Sequence, residues 1–213
     1  MDPDHTRLDL RFLFTDRGQP LGPDRLVRDY VNTLCRVDEL TFMLSGLEAL
    51  DACGEPMGSW PQATITADLL APGKATALGP IQAGEVHYLN VRLGPADATM
   101  PVPGNLCEVT GHGPVWHALL VKGIVDSNDD DRITAEDEPF VIRCRLPEAS
   151  EPFMVHAHVS AMPGRTSTLE LAVDAHALFH GIDIADEPHC TEPSLFNNQA
   201  LTNLTTRVLG EPN

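Results

Sequence analysis

The sequence predicts an all-β fold, an antiparallel β-sandwich with a short C-terminal helix. Apolar and polar residues alternate with a period of two in several segments, as they do in strands with one buried face. Eighteen prolines and sixteen glycines among 213 residues supply the turns that join short strands. Helical signals are brief, with a single turn expected at residues 175–179 and a short helix at 194–209, where Ser194 is a candidate cap.

The strands of the first half of the chain follow this alternation. The first strand is marked by Leu8, Leu10, Phe12 and Phe14. A second strand is expected at residues 40–50, with a kink or a bulge where Ser45 and Gly46 interrupt the pattern. Three more strands are expected at residues 64–70, 75–78 and 86–93. A turn is expected at 81–85, just before the last of them.

The second half begins with residues 94–113, which are rich in proline and glycine and are predicted to form a long loop. A nearly continuous apolar strand follows at 115–125. The inward residues of the next strand are expected to be Phe140, Ile142, Cys144 and Leu146. Two further strands are expected at 153–159 and 169–173. We expect residues 1–213 to form one sandwich domain.

The charge of the chain restricts its partners. Lysine and arginine total 14 against 31 aspartates and glutamates, so the net charge is −17. Such a chain is expected to avoid nucleic acids and anionic membrane surfaces and to attract cations. No apolar run is long enough to span a bilayer, and the first residues, Met-Asp-Pro-Asp-His, lack the pattern of a signal peptide. Taken literally this favours the cytoplasm, although a chain without its signal or lipoprotein anchor would look the same.

Five cysteines fit neither a CxxC metal pattern nor a dense disulfide framework. They allow two bridges at most and leave one thiol over. A bridge between Cys35 and Cys53 is plausible because the two residues bracket a probable hairpin. The spacing leaves the connectivity open.

Residues 126–137 are the most specific motif, because they match a calcium loop of the EF-hand type. Side chains fall at positions 1, 3, 5, 9 and 12 of the loop, and a carbonyl group falls at position 7. The expected calcium ligands are Asp126, Asn128, Asp130, Arg132, Thr134 and Asp137. Strand patterns on both sides replace the usual helices, so we expect the loop to close a hairpin.

Two positions depart from the usual loop. Asp131 stands where a glycine normally permits a sharp left-handed turn, and aspartate adopts that conformation at modest cost. Asp137 replaces the usual glutamate, and its shorter side chain reaches an ion less easily, although dockerin-type loops also end in aspartate. We therefore expect moderate affinity, suited to a calcium-rich exterior. The alternative is a solvated acidic turn, against which the apolar Ile133 argues.

Nine histidines suggest a second kind of metal site. Met154, His156 and His158 alternate along one strand and share its face, and imidazole with thioether suits copper. The other candidate copper ligands are His112, His117, His176 and His180. The alternative is that these residues form the polar face of ordinary surface elements. No motif of nucleophilic, phosphate-binding or metalloprotease chemistry is present, so we do not expect an enzyme.

Several segments, in order, resemble the MbnP-like family. They include the opening strand Leu-Asp-Leu-Arg-Phe-Leu-Phe, the segment 81–94, the segment 169–181 and the terminal Asn203. The family comprises periplasmic or surface-attached β-sandwich proteins, some of them encoded beside a MauG-like dihaem peroxidase. The resemblance implies copper binding, with Trp116 as a candidate for oxidation to kynurenine, although the residues around Trp116 depart from the family pattern.

From these observations we expect a periplasmic or extracellular, non-enzymatic metal-binding protein. It would hold structural calcium and bind copper at histidines. A further interpretation makes the chain the substrate of a dihaem peroxidase, with Trp116 or Trp60 modified. An alternative is a calcium-stabilised adhesion or carbohydrate-binding module, although two tryptophans and two tyrosines offer few rings for stacking on sugars.

Overall fold

Strands account for most of the computed structural model, which describes residues 6–95, 103–111, 113–145, 151–186, 189–190, 199–200 and 202–209. In chain order the strands are β1 (Arg7–Asp16), β2 (Gln19–Pro20), β3 (Leu26–Arg28), β4 (Leu34–Leu50), β5 (Pro56–Asp68), β6 (Thr76–Pro80), β7 (Gly84–Leu93), β8 (Cys107–Thr110), β9 (Gly113–Val125), β10 (Glu138–Arg145), β11 (Phe153–Ala161), β12 (Thr166–Asp174) and β13 (His189–Cys190). The helical elements are a 3-10 turn (Gly104–Leu106), α1 (Ala175–Leu178) and a π-helical turn (Leu204–Val208).

Within the described residues these strands form two sheets. The smaller sheet has the order β12-β1-β2, with β6 also paired to β1. The larger sheet has the order β11-β7-β4-β9-β10-β13, with β3 and β5 paired to β4 and β8 paired to β9. Most neighbours are antiparallel, and the pairs β1–β12 and β10–β13 are parallel. The predicted all-β sandwich is confirmed.

The long strand β4 organises the larger sheet. Along one edge β5 pairs with residues 41–50 of β4. Along the other edge β9 pairs with residues 35–42 and β7 with residues 44–50. The sheet therefore forks near Gly46, where φ is 61° and the pairing shifts register. The kink predicted from Ser45-Gly46 is confirmed.

The two sheets pack their apolar faces against each other. On β1 and β12 the alternate residues point inward and are buried, namely Leu8, Leu10, Phe12, Phe14, Leu169, Leu171 and Val173. The rings of Phe12 in the smaller sheet and Phe42 in the larger sheet meet edge to face, with centroids 5.5 Å apart. Such a pair adds about 0.5–1.5 kcal/mol to the gain from burial alone.

Cys35 lies near the start of β4 and Cys53 lies beyond its end, and both are free thiols. The bridge considered between Cys35 and Cys53 is therefore wrong, because the whole 17-residue strand β4 separates the two residues. Leu146 and Ser194 lie outside the described residues.

The turn after β3 is held by a buried carboxylate. Asp29 accepts hydrogen bonds from the amides of Val31 and Thr33 within the turn, at 3.1 and 2.9 Å, and from the amide of Ile184 at 3.0 Å. These bonds join the β3–β4 turn to the segment after α1. Burial raises the pKa of Asp29, and the three amides act in the opposite direction.

Gly123 provides a test of the packing at the centre of the larger sheet. A Cβ at this position would lie 2.0 Å from the carbonyl oxygen of Arg36 and 2.6 Å from the ring of Phe140. Gly123→Ala should therefore reduce the free energy of unfolding by at least about 2 kcal/mol. That loss corresponds to a fall of at least about 4 °C in Tm, measured by thermal denaturation.

The control is Gly22→Ala, since a Cβ at Gly22 would meet nothing within 4 Å. Its Tm should stay within about 2 °C of the wild type. Equal Tm values for both variants and the wild type would contradict the described packing around Gly123.

Candidate functional site

Residues 126–137 join β9 to β10, which pair antiparallel from Val125 and Glu138 onward. The predicted loop therefore closes a hairpin, as expected. Asp126 is only 2% exposed, and its side chain is directed into the loop. Its carboxylate accepts hydrogen bonds from the amides of Asp130 at 3.3 Å and Asp131 at 2.8 Å.

The carboxylate of Asp137 closes the other end of the loop. It accepts a hydrogen bond from the amide of Thr134 at 2.6 Å and another from the Thr134 hydroxyl at 3.0 Å. It also lies 3.3 Å from the amide nitrogen of Ser127. These donors hold the pKa of Asp137 below its usual range, the Thr134 amide being the largest cause. Thus the carboxylates at loop positions 1 and 12 both face the loop interior.

The turn inside the loop has the conformation that the sequence predicts at position 6. Asp131 has a φ of 60°, in the left-handed region that glycine usually occupies. The cost of this conformation is partly offset by an ion pair, since Arg28 lies 2.8 Å from an Asp131 oxygen. The pair ties the loop to the end of β3.

The other expected calcium ligands are more exposed. The side-chain oxygen of Asn128 accepts a hydrogen bond from the Asp130 amide at 3.1 Å, and the Arg132 side chain lies at the surface. Among the described residues, no three histidine, cysteine, aspartate or glutamate side chains converge as a metal cluster. In this structure the loop carboxylates are thus engaged with amides of the loop.

The candidate copper ligands are distributed along the length of β4. His176 and His180 lie near its start, because His176 Nδ1 is 3.5 Å from the Arg28 oxygen, and Arg28 pairs with Leu34. His117 lies near the middle of β4, two residues before Leu119, which pairs with Phe42.

The β11 candidates lie near the other end of β4. His156 pairs with Tyr88, and Tyr88 in turn pairs with Leu50. Because β4 has 17 residues, each rising about 3.3 Å, these places cannot form one site. His112 lies outside the described residues.

The outer face of β7 and β11 carries a cluster of four rings. His156 and His158 are exposed on β11 together with Met154, as the alternation predicts. The rings of Tyr88 and His156 have centroids 4.9 Å apart, and those of His87 and His158 are 5.3 Å apart. We call His87, Tyr88, His156 and His158 the histidine face.

A β-bulge assembles the histidine face. His156 pairs with Tyr88 and Val159 with Val86, so two residues of β11 stand opposite one residue of β7. On β7, Val86 and Leu89 are both buried, which leaves the two consecutive residues between them on the outer face. His87 was missed in the sequence because strict alternation places it inward with Leu89. The spacing of the apolar Val86 and Leu89 was the available signal.

His117 occupies a different environment, on β9 beside β8. Its side chain is 4% exposed, and neither ring nitrogen has a hydrogen-bond partner of good geometry, the Glu108 carboxylate lying 3.4 Å from Nε2. Burial lowers the pKa of His117, with a smaller contribution from Arg143 and Arg145, while Glu108 acts in the opposite direction. Burial of the ring therefore favours its neutral form.

The two tryptophans differ in accessibility. Trp116 is 37% exposed on the β8–β9 hairpin, opposite the free thiol residue Cys107. Trp60 is half-buried and lies against Gly58 and Gly79, where an added Cβ would meet the indole at 2.9 and 3.1 Å. Trp116 thus presents the more accessible indole.

At this level the molecule is a β-sandwich protein with an acidic hairpin loop at one end of β4 and a histidine face at the other. A search of the solved structures finds a similarity to MbnP from Methylosinus trichosporium, with 13% sequence identity, a TM-score of 0.47, and coverage of 84% of this chain and 79% of that chain. This similarity is to a member of the family that the sequence resembles. No protein-family model and no curated protein matches the chain. Within the described residues, no helix has the length and apolar character needed to cross a membrane.

The burial of His117 predicts an acid-sensitive stability. Its pKa is lowered in the folded protein relative to the ordinary 6.5, so below about pH 6.5 the unfolded chain binds a proton that the folded protein resists. The stability contribution is therefore complete above pH 6.5 and is lost as the pH falls. As the pH falls below 6.5, the free energy of unfolding of the wild type should decrease by up to ~1.4 kcal/mol more per pH unit than that of His117→Gln, which cannot titrate. Denaturant unfolding measures this quantity for both proteins. If the free energy of unfolding depends on pH in the same way for both proteins, measured with a chelator present, this prediction is contradicted.

Proposed function

We propose that this chain is a non-enzymatic metal-binding protein of the periplasm or cell exterior. It binds copper at the histidine face and holds a structural calcium ion in the loop 126–137. The observation that carries the proposal is the histidine face itself, where three imidazoles and the phenol of Tyr88 meet on one surface. The net charge of −17 adds a general attraction for cations.

The donor set suits copper better than a hard cation. Imidazole nitrogen binds copper, nickel and zinc, and thioether sulfur selects copper(I). The histidine face offers the imidazoles, and the exposed Met154 stands two residues before His156 on the same strand face. No carboxylate belongs to this group, which leaves the hard ions calcium and magnesium without suitable ligands there.

The loop 126–137 is suited to calcium on separate grounds. Asp126 and Asp137, at positions 1 and 12, are 2% and 7% exposed and are directed inward. Asp131 has the left-handed backbone that position 6 requires. A calcium ion would compete with the loop amides for the same carboxylate oxygens. Because Asp126 and Asp137 lie at the two ends of the loop, we propose that an ion bound to both is structural and stiffens the hairpin.

The copper proposal is tested by titrating the metal-free protein with Cu²⁺ while the histidine resonances are followed by NMR. Saturable perturbation of His87, His156 and His158 at micromolar copper is expected. The absence of any saturable change below millimolar copper would refute copper binding.

The calcium proposal predicts a stabilisation that depends on the loop carboxylates. Calcium at about 100 times its Kd should stabilise the folded protein by about 2.7 kcal/mol. That gain should raise Tm by roughly 5–10 °C in thermal denaturation. Asp126→Ala combined with Asp130→Ala should abolish the increase.

The matched control is Glu55→Ala combined with Glu85→Ala, which removes two exposed carboxylates outside the loop. It should retain the full calcium response. An identical wild-type Tm with calcium and with chelator would refute the calcium site. If both double variants lose the same part of the calcium-dependent increase in Tm, calcium acts by general screening of negative charge and not by binding to the loop.

A second proposal concerns an oxidising partner, a dihaem peroxidase of the MauG-like kind. The exposure of Trp116 supports it, because a haem protein that acts on a partner's indole needs an accessible ring.

Mass spectrometry of protein purified from its native host should locate a mass increase on Trp116 and none on the half-buried Trp60. Unmodified Trp116 in that material, with the peroxidase expressed, would contradict the proposal. Modification of Trp60 alone would also contradict it.

A further inference from the structure

We propose that His87 and His158 are the protein ligands of the bound copper ion, and that the β-bulge creates this pair. The inference rests on the proposed function, namely that the histidine face binds copper. It assigns the site to residues on two strands, β7 and β11. The alternation along β11 alone points instead to His156 and His158.

The distance between the two rings fits a shared ion. With metal–nitrogen bonds of about 2.0 Å and about 1.2 Å from nitrogen to ring centre, two imidazoles on one ion have centres about 4.5 Å apart at a bond angle of 90° and about 6.4 Å apart at 180°. The centroids of His87 and His158 are 5.3 Å apart, inside this range, with an interplanar angle of 64°. The two rings are therefore close enough for one nitrogen of each to bind a common ion.

The bulge explains why this pair is available. In a regular antiparallel pair the residues on one face alternate, and His87 would point into the core beside Leu89. The extra residue of β11 shifts the register between His156 and Val159, so that His87 turns outward toward His158. Bulges commonly redirect side chains in this way next to functional sites.

His156 has a different neighbour. Its ring packs edge to face on Tyr88, with centroids 4.9 Å apart. Its Cα lies about 7 Å along the strand from that of His158. We therefore assign His156 and Tyr88 to the wall of the site and the pair His87–His158 to the ion.

Two imidazoles leave open positions on the ion. The described residues offer no third histidine, cysteine, aspartate or glutamate in a metal cluster with them. The remaining positions are open to water or to a donor from outside, since His158 lies at the surface. The site is thus expected to exchange its ion and to accept a small imidazole or amine ligand as a third partner.

The experiment is a Cu²⁺ titration of the full chain with calcium in excess, so that the loop 126–137 does not compete. The exposed Cys53 and the half-exposed Cys107 are replaced by serine in every sample, because thiolates bind copper. The variants are His87→Ala, His158→Ala and His156→Ala. The control is His176→Ala combined with His180→Ala, which removes two histidines near the other end of β4.

Loss of one of two imidazole ligands should weaken Kd at least about tenfold in His87→Ala and in His158→Ala. His156→Ala, which removes a ring of the wall but no ligand, should weaken Kd less than His87→Ala and His158→Ala do. The His176/His180 double variant should change Kd less than about threefold. The copper absorption band of the wild type should shift when free imidazole is added, as a third donor binds.

The outcomes separate the inference from the proposed function. If the protein with all its histidines shows no saturable copper binding, the proposed function is refuted together with the inference. Tight binding that survives His87→Ala and His158→Ala, but is lost in another histidine variant, overturns the assignment while the protein remains a copper binder. If copper binding is lost in His156→Ala and His158→Ala but not in His87→Ala, the ligands are instead His156 and His158, the pair that alternation along β11 predicts.

Discussion

The pairing of β4 on both edges is the constraint on which the rest of the structure depends. One edge is filled by β3 and β5, and the other is divided between β9 and β7. The division falls at Met43, close to Gly46, whose positive φ lets the strand bend without a side chain in the way. β9 and β10 therefore extend the sheet from the first part of that edge, and β7 and β11 extend it from the second part.

The fork also separates the two kinds of candidate site. The acidic loop is anchored at the start of β4, where the Asp126 amide donates a 2.9 Å hydrogen bond to the Leu34 oxygen. The histidine face lies near the far end, where Leu50 pairs with Tyr88. The oxygen donors of the loop and the nitrogen and sulfur donors of the histidine face therefore lie on different pairs of strands. The proposed calcium and copper ions would share no ligand, which would suit a structural role for calcium and an exchangeable role for copper.

Much of this could be predicted from single residues. The alternation of Leu8 to Phe14 identified β1, and Ser45-Gly46 located the bend in β4. The left-handed Asp131 followed from its position in the loop. The pairing partners could not be predicted, because register depends on contacts between distant segments. Hence the Cys35–Cys53 bridge was wrong. His87 was missed because its outward position breaks the strict alternation of β7, at the place where the β7–β11 register shifts.

The most direct test of the central claim is a crystal structure of the protein grown with copper and calcium, with anomalous scattering recorded at the copper edge. The account predicts one copper peak within about 2 Å of a ring nitrogen of both His87 and His158. A calcium ion should occupy the loop 126–137, without copper signal. A copper peak at His117, or at His176 and His180, with none on the histidine face, would contradict the account.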